Sequence, residues 1–295
     1  MTMRVTHRSV QANTLANLQT NLVKMSKLQE QLSSGRLINR PSDNPAGTVS
    51  ALQLRGDLRT TEQFTRNADN GIGWLATADG AMMESLSMLR RVRELTVRGA
   101  NTGSMGPQAR EALALEVAGL RDGLLGLANT SYNGRPVFGG TTAGQVAFDA
   151  TGSYVGDAGT VMRRVGPNTQ VRVDVAGQAA FADASGRSVF ALLEDVAAHL
   201  TGDPSQLGGD LDALDAAINR MLSAVSDAGT RFGRLESLKQ VATDRAIDLK
   251  TALANVESID LPATIVDLQM QEVAYQAALG AAARVLQPTL MDFLR

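Results

Sequence analysis

The residue types that most often carry enzymatic or metal chemistry are few and scattered in this sequence. The chain has two histidines, His7 and His199, far apart along the sequence, and it has no cysteine. Without a His or Cys cluster at ligand spacing, the sequence predicts no zinc site and no thiol catalysis. Serine-nucleophile and phosphate-loop patterns are also absent from it. The sequence therefore predicts no catalytic, cofactor-binding or metal-binding residues, and no enzyme.

Two short stretches resemble functional motifs only in part. The run GIGWLA at 71–76 has the glycine spacing of a loose dinucleotide fingerprint, but it lies inside a helical pattern with no preceding strand. Asp210, Asp212 and Asp215 form an acidic group whose order differs from that of a calcium loop. We interpret the first stretch as helix and the second as a solvated helix start.

Composition limits the classes of protein that remain. Of 295 residues, 44% are hydrophobic but only 4% are aromatic, which is typical of helices packed through small and aliphatic side chains. The formal net charge of −2 gives no basic field for nucleic acid. No apolar run reaches the roughly 18 residues of a membrane-spanning helix, and the N-terminus has no secretory signal. We expect no membrane insertion, and either a cytoplasmic location or export without a cleaved signal.

Apolar residues spaced alternately by three and four predict long helices at both ends of the chain. The first runs from about residue 10 to 33 and the last from about 262 to 288. Their predicted seams consist of Leu15, Leu18, Leu22, Met25 and Leu32 at the front and Ile265, Leu268, Tyr275, Leu279 and Leu286 at the back. The tail adds three more apolar residues, Leu290, Phe293 and Leu294. Neither seam has an obvious partner except the other, so we expect the two ends to pair.

The stretch LSSGRLINRPSDNPAG, residues 32–47, predicts a stiff turn between the first helix and a second long helix over about 45–99. Gly35 can end the first helix with a positive φ, and Pro41 fixes its own φ. Ser42 or Asp43 is expected to cap the second helix, with Pro45 in its first turn. We call residues 35–45 the elbow.

The middle of the chain changes period and predicts a small β-rich insert at 132–186. Asn133-Gly134 is a hairpin turn signal. In QVRVDVA, Val171, Val173 and Val175 alternate with the polar residues, which predicts a half-buried strand with Asp174 on its outer face. We expect this insert to be nested, so that a short linker could replace residues 142–184.

These patterns together predict a mainly α fold with a β-rich insert, in which both chain ends form a long, coiled-coil-like helical rod. The predicted terminal domain takes residues 1–34 and 262–295. The predicted rod domain takes residues 35–131 and 187–261, and the predicted outer domain takes residues 132–186.

Four segments of this sequence resemble bacterial flagellins. They are LSSGRLINRPSDNPAG, RNADNGIGWLATADGAM and VRELTVRGANTG near the start, and IVDLQMQEVAYQAALGAAARVLQPTLMDFLR at the end. The resemblance covers roughly the first 140 and the last 90 residues, in the right order. Within this superfamily, the elbow residues PSDNP, the segment 119–140 and the tail TLMDFLR are closer to hook–filament junction proteins. VRELTVRGANTG is instead similar to flagellin itself.

The resemblance implies a secreted structural subunit of the flagellum, located at the hook–filament junction. It implies flagellin and the first hook-associated protein as partners, further copies of the chain in a ring-like layer, and an export chaperone before type III secretion. It also implies that the elbow sets the angle between two helices. Burial of the seam residues offsets only part of the entropy lost on ordering the two end helices. We therefore expect the chain ends to be loosely ordered in the free monomer and to become helical against neighbouring subunits, with a stable intramolecular hairpin as the alternative. Two alternatives stay open: flagellin, the filament subunit, and a secreted coiled-coil adaptor or effector.

Overall fold

The computed structural model describes residues 7–101, 106–142, 144–183 and 185–286, and most of them are helical. The helices are α1 (His7–Ser34), α2 (Pro45–Ala100), α3 (Pro107–Ala128), α4 (Gly177–Phe181), α5 (Val189–Thr201), α6 (Leu207–Glu257) and α7 (Leu261–Leu286). The strands are β1 (Ser131–Tyr132), β2 (Arg135–Pro136), β3 (Met162–Arg164) and β4 (Gln170–Arg172). The mainly α fold predicted from apolar spacing is confirmed.

The chain divides into two compact units, and the long helices α2 and α6 each contribute to both. The terminal unit takes in the described residues up to 59 and from 247 onward. The central unit runs from residue 60 to 246. These boundaries differ from the predicted ones at 34/35 and 261/262, because hydrogen bonds tie the elbow to the α6–α7 link and keep both turns inside the terminal unit.

The central unit is organised around one hydrophobic core that four helices share. Trp74 and Leu95 enter it from α2, Val117 from α3, Phe190 from α5 and Leu235 from α6, and all five side chains are buried. Helices α3 and α5 pack directly against each other. The central unit is therefore held together by the apolar faces of these four helices.

The segment between α3 and α5 joins this same core through a cluster of aromatic rings. The ring of Phe148 lies 5.2 Å from Phe190 of α5, 5.5 Å from Phe181 and 5.2 Å from Tyr154. Phe138 contacts Phe181 with ring centroids 5.1 Å apart. The largest side chains of this segment therefore share the core of the helices, which argues against the prediction that the insert is a separable, nested piece.

The segment contains less strand than its sequence suggested. It forms two separate two-stranded antiparallel sheets, β1–β2 and β3–β4, each two or three residues long. Asn133 and Gly134 make the predicted hairpin turn, with φ of 51° and 76°. Elsewhere, aspartate carboxylates close the loops by accepting backbone N–H bonds, as Asp149 does from Thr151 and Ser153. Such bonds compete with ladder pairing and keep the strands short.

The alternation predicted for QVRVDVA is wrong at one position, Asp174. Val171, Val173 and Val175 are buried as predicted, but Asp174 is completely buried as well. Its carboxylate accepts a hydrogen bond from the Val161 N–H at 2.7 Å. It also forms an ion pair with Arg172, whose Nε and Nη2 both donate to it. A buried carboxylate needs such partners, and here they replace the solvent that the pattern predicted.

Candidate functional site

The elbow begins with a helix stop at Gly35. This residue has φ of +68°, a region that glycine enters without steric cost, and its N–H bonds to the carbonyl of Gln31 at 2.8 Å. The Gln31 side chain then donates to the carbonyl of Leu37 at 3.0 Å. Helix α1 therefore ends where the sequence predicts, and its last turn is bonded to the chain that leaves it.

Pro41 and Asp43 fix the middle of the elbow. The Asp43 N–H bonds to the Arg40 carbonyl at 2.9 Å, which closes a turn with Pro41 at its second position. The Asp43 carboxylate accepts the N–H groups of Arg40 at 2.9 Å and Asn39 at 3.2 Å, and it lies 3.1 Å from the Lys27 ammonium. Hydrogen bonds from the backbone and from Lys27 lower the pKa of Asp43.

The cap of α2 is Asn44 rather than Ser42 or Asp43. The Asn44 side-chain oxygen accepts the N–H of Gly47 at 2.9 Å, and Pro45 occupies the first helical position as predicted. Asp43 turns back toward the elbow, and Ser42 is exposed. The prediction of Ser42 or Asp43 as the cap is wrong, because Pro45 takes the first helical position and makes Asn44 the residue that precedes the helix.

A change at Asp43 tests whether its carboxylate holds the elbow. Because its pKa is lowered in the folded state, the ionised carboxylate stabilises the fold at pH values above its ordinary value of 3.8. This contribution is lost as the pH falls through the lowered pKa. Asp43→Asn should therefore lower the melting temperature of the terminal unit at neutral pH, and the difference from wild type should disappear in strong acid.

Thermal melts across the acid range measure this effect. Asp248→Asn is the matched control, since Asp248 is an exposed aspartate of the same unit. A gap between wild type and Asp43→Asn that does not shrink on acidification would contradict the role given to the carboxylate.

The elbow is bonded to the link between α6 and α7. The Leu37 N–H donates to the Glu257 carbonyl at 2.6 Å, and the Ile259 N–H donates to the Gly35 carbonyl at 3.3 Å. The next residue, Asp260, caps α7 by accepting the Ala263 N–H at 3.1 Å. The two turns, far apart in sequence, therefore form one bonded junction within the terminal unit.

Arg55 and Glu257 add an ion pair to this junction. Their nitrogen–oxygen distance is 2.8 Å, and the Glu257 residue is only 8% exposed. Arg55 lies on α2 and Glu257 at the end of α6, so the pair links the helix that leaves the elbow to the start of the second turn. No local pattern predicts this pair, because its members are separated by 202 positions.

Replacing Arg55 by methionine should leave the buried Glu257 carboxylate unpaired and cost about 1–3 kcal/mol in the terminal unit. Hydrogen exchange of the Leu37 and Ile259 amides reports the loss directly, because both amides bond across the two turns. Replacing Arg55 and Glu257 together by methionine should recover part of it. Arg59→Met, at an exposed site one turn later on α2, is the control. Unchanged exchange in Arg55→Met would contradict the clamping role of the pair.

Helices α1 and α7 pack on each other, as predicted for the two chain ends. Of the predicted seam, Leu18, Met25, Leu32, Leu268 and Tyr275 are half-buried. Leu28, outside the predicted seam, is half-buried on the same side, and other contact positions are smaller or polar: Gln271 donates to the Asn21 carbonyl at 3.3 Å, and Ala282 is buried. A seam with so few large side chains covers only one narrow stripe of each helix.

Four predicted seam residues lie beside this stripe and remain exposed. Leu15 is 54% exposed, Leu22 47%, Ile265 39% and Leu279 43%. The side chain of Leu286, and Leu290, Phe293 and Leu294, lie outside the described residues. The predicted seam is therefore wider than the contact that this chain makes with itself.

A second apolar stripe runs along α7 and was missed from the sequence. We call Val266, Met270, Val273 and Ala277 the outer stripe; their spacing of four, three and four puts them on one helix face. Val266 is 54% exposed, Met270 64% and Val273 66%. The sequence signal for this stripe was a second set of apolar residues in α7 with 3-4 spacing, offset from the set that forms the predicted seam. Exposed apolar side chains at heptad spacing are typical of a face that pairs with another helix.

The residues considered for chemistry have structural roles instead. Gly71 and Gly73 lie inside α2, where a β-carbon would meet Val173 and the Tyr132 hydroxyl, so these glycines allow close packing. His199 Nδ1 lies 2.7 Å from the Asp210 carboxylate. Asp215 pairs with Arg93, and Asp212 is exposed.

The described part of the chain offers neither a metal site nor a membrane span. No group of three or more His, Asp or Glu side chains there is placed to hold a metal ion. None of the helices described is both long and apolar enough to cross a membrane.

Comparisons with known proteins agree with the arrangement of helices and turns. Residues 5–143 match the bacterial flagellin N-terminal helical region. Flagellin of Bacillus subtilis is 29% identical over 97% of this chain and 97% of its own length. Flagellar hook-associated protein 3 of Escherichia coli is 25% identical over 95% of this chain and 96% of its own. The N-terminal part of the chain therefore matches the helical region of bacterial flagellins, and its whole length is similar to flagellar proteins. The chain is a structural component of the bacterial flagellum.

Solved structures support the same fold. A putative flagellar hook-associated protein from Vibrio parahaemolyticus superposes with a TM-score of 0.67 at 19% identity, covering 73% of this chain and 100% of that one. The flagellar junction protein FlgL of Legionella pneumophila gives a TM-score of 0.58 at 16% identity, covering 71% of this chain and 100% of that one. At these identities the likeness shows a shared fold. The resemblance to flagellins predicted from the quoted segments is confirmed by the match over residues 5–143 and by the full-length relatives.

Proposed function

We propose that this flagellar protein is the junction subunit that connects the hook to the flagellin filament. The observation that carries the proposal is the relation to hook-associated protein 3 along nearly the whole of both chains. The shared fold with hook-associated proteins and the junction-like PSDNP elbow support it further. Within the elbow, Asp43 and Asn44 have separate tasks, since one closes the turn and the other caps α2.

The terminal unit is the part that we assign to assembly. Its two turns are bonded to each other, so the path from α1 into α2 is fixed, as a repeating lattice requires. The exposed seam residues Leu15, Leu22, Ile265 and Leu279, together with the outer stripe, would then pack against the terminal helices of neighbouring copies. Burial of each large side chain there contributes roughly 1.5–3 kcal/mol, so a few of them suffice to hold a layer together.

The partners follow from position in the flagellum. One side of the layer would contact the first hook-associated protein and the other side flagellin, with further copies of the chain around the ring. Before export through the type III apparatus, the unfolded chain would expose the apolar residues of the α7 segment. An export chaperone would cover these residues until secretion. Secretion would place the protein outside the cell, at the hook–filament junction.

Deletion of the gene separates the junction role from other flagellar roles. We expect the deletion strain to build complete hooks, to lose filaments, and to release unassembled flagellin into the medium. Restoring the gene should restore filaments. Filaments that persist in the deletion strain, or hooks that fail to form, would contradict the junction role.

The alternative role as filament subunit keeps one specific observation in its favour, the full-length relation to Bacillus subtilis flagellin. A flagellin polymerises by itself into long filaments when it is seeded or salted out, whereas a junction subunit stops after capping a hook end. We expect the purified protein at high concentration to form no long filaments. Micrometre-long tubes in electron micrographs would favour flagellin instead.

A further inference from the structure

A pocket of about 350 Å³ lies between α6 and the chain that follows β4 in the central unit. Three arginines line it, Arg172, Arg220 and Arg231, together with Asp227. Its floor is formed by small side chains such as Ala176 and Ala224. Guanidinium groups this close together repel one another unless anionic groups compensate their charges.

Two of these arginines already have partners. Arg172 holds the buried Asp174 carboxylate, with Nη2 at 2.7 Å from Oδ2. Arg231 donates to the Asp174 backbone carbonyl at 2.9 Å and pairs with the exposed Asp227. These contacts orient both guanidinium groups at the pocket wall, and Asp174 also accepts the Val161 N–H.

Arg220 is different, because its Nε–H is buried and finds no acceptor among the residues that the structure describes. On its other side lie Asp183 and Arg187. The Asp183 carboxylate accepts the Ser185 N–H at 2.9 Å and the Arg187 N–H at 2.9 Å, and Arg187 pairs with Asp195. Hydrogen bonds within the 183–187 turn are the main cause of the lowered pKa of Asp183, with a smaller contribution from the charge of Arg220.

A buried guanidinium N–H without an acceptor is unfavourable. The Nε groups of Arg110 and Arg121 share this feature, and Arg220 differs from them in lining a pocket with two further arginines. We propose that this pocket binds an oxyanion, a carboxylate or phosphate group, with Arg220 as its principal ligand. The planar fork of a guanidinium matches two oxygens of such a group, and Arg172 and Arg231 add positive charge around it. All of these residues belong to the central unit, so the site does not depend on the junction role.

The oxyanion has two sources that the same chemistry would accept. One is a small free anion, and the other is an acidic side chain of a second copy of this chain. The first stabilises the folded monomer in proportion to the concentration of the anion. The second makes the protein self-associate through the central unit.

Thermal melts of the full chain in increasing inorganic phosphate, at constant ionic strength set with sodium chloride, test the first source. The melting temperature of the wild type should rise with phosphate, and Arg220→Gln should weaken the apparent affinity about tenfold or more. Arg234→Gln removes the same charge from an exposed site on the same helix and should respond like the wild type. Arg220→Lys keeps the charge but loses the fork, and we expect an intermediate response from it.

Sedimentation velocity of the same variants tests the second source. If phosphate has no effect, self-association that is present in the wild type and Arg234→Gln but lost in Arg220→Gln would assign the oxyanion to a second copy. The proposal is overturned if neither phosphate binding nor self-association depends on Arg220. If Arg220→Gln does not fold, Arg220→Lys decides, because unchanged behaviour in both assays overturns the proposal equally.

Discussion

Replacing Phe148 by alanine is expected to destabilise the central unit by about 3–5 kcal/mol. The side chain is only 1% exposed and contacts three other rings, Tyr154, Phe181 and Phe190. Removing it leaves a cavity between the α3–α5 segment and α5, and an interior held by so many rings collapses only partly. Phe148 therefore links the segment between α3 and α5 to helix α5 itself.

Fluorescence of Trp74 during chemical denaturation measures this loss. Trp74 is the single tryptophan of the chain, it is 2% exposed, and it belongs to the same core. Val146→Ala, at a side chain 43% exposed and two residues earlier, should change the unfolding free energy by less than about 0.5 kcal/mol. Similar losses in the two variants would contradict the shared core and favour a separable insert.

Replacing Val273 by aspartate is expected to abolish incorporation into flagella and to leave the isolated protein stable. Val273 is 66% exposed on the outer stripe, so the aspartate stays in water while the chain is alone. The free energy of unfolding should then change by less than about 0.5 kcal/mol. Between packed helices of neighbouring copies the same carboxylate would lose its water without gaining a partner, and such burial is strongly unfavourable.

Complementation of a deletion strain measures the effect as swarming on soft agar and as filaments in electron micrographs. Gln276→Asp is the matched control, because Gln276 is exposed on α7 but lies off the outer stripe. Met25→Asp should behave differently from Val273→Asp in the isolated protein. Met25 lies in the α1–α7 seam, so its replacement should destabilise the terminal unit even without assembly. Normal motility with Val273→Asp would show that the outer stripe takes no part in assembly.

The helices were predictable because their signals are local and repeated. The 3-4 spacing marks α1 and α7 to within a few residues, and Gly35 and Pro45 bound the elbow. These signals depend on each residue and its near neighbours, which a single sequence displays in full. The elbow likewise combines a glycine, two prolines and capping side chains within a few positions.

The long-range features were not predictable in the same way. Asp174 is buried because Arg172 and the Val161 N–H serve it, and the pairing with Val161 depends on how β3 and β4 align. The insert has strand-like composition, but its phenylalanines pack against α5, and this cannot be read from the loop alone. The width of the terminal seam also depends on how α1 and α7 face each other, which leaves Leu15 and Leu279 outside the contact.

Immunogold labelling of intact flagella with antibodies against this protein tests the central claim most directly. The junction role predicts gold particles at one narrow position, between the end of the hook and the base of the filament, with none along the filament. Hook ends from a strain that cannot make flagellin should carry the same label. Gold particles distributed along the whole filament would contradict the junction role and identify the chain as a filament subunit.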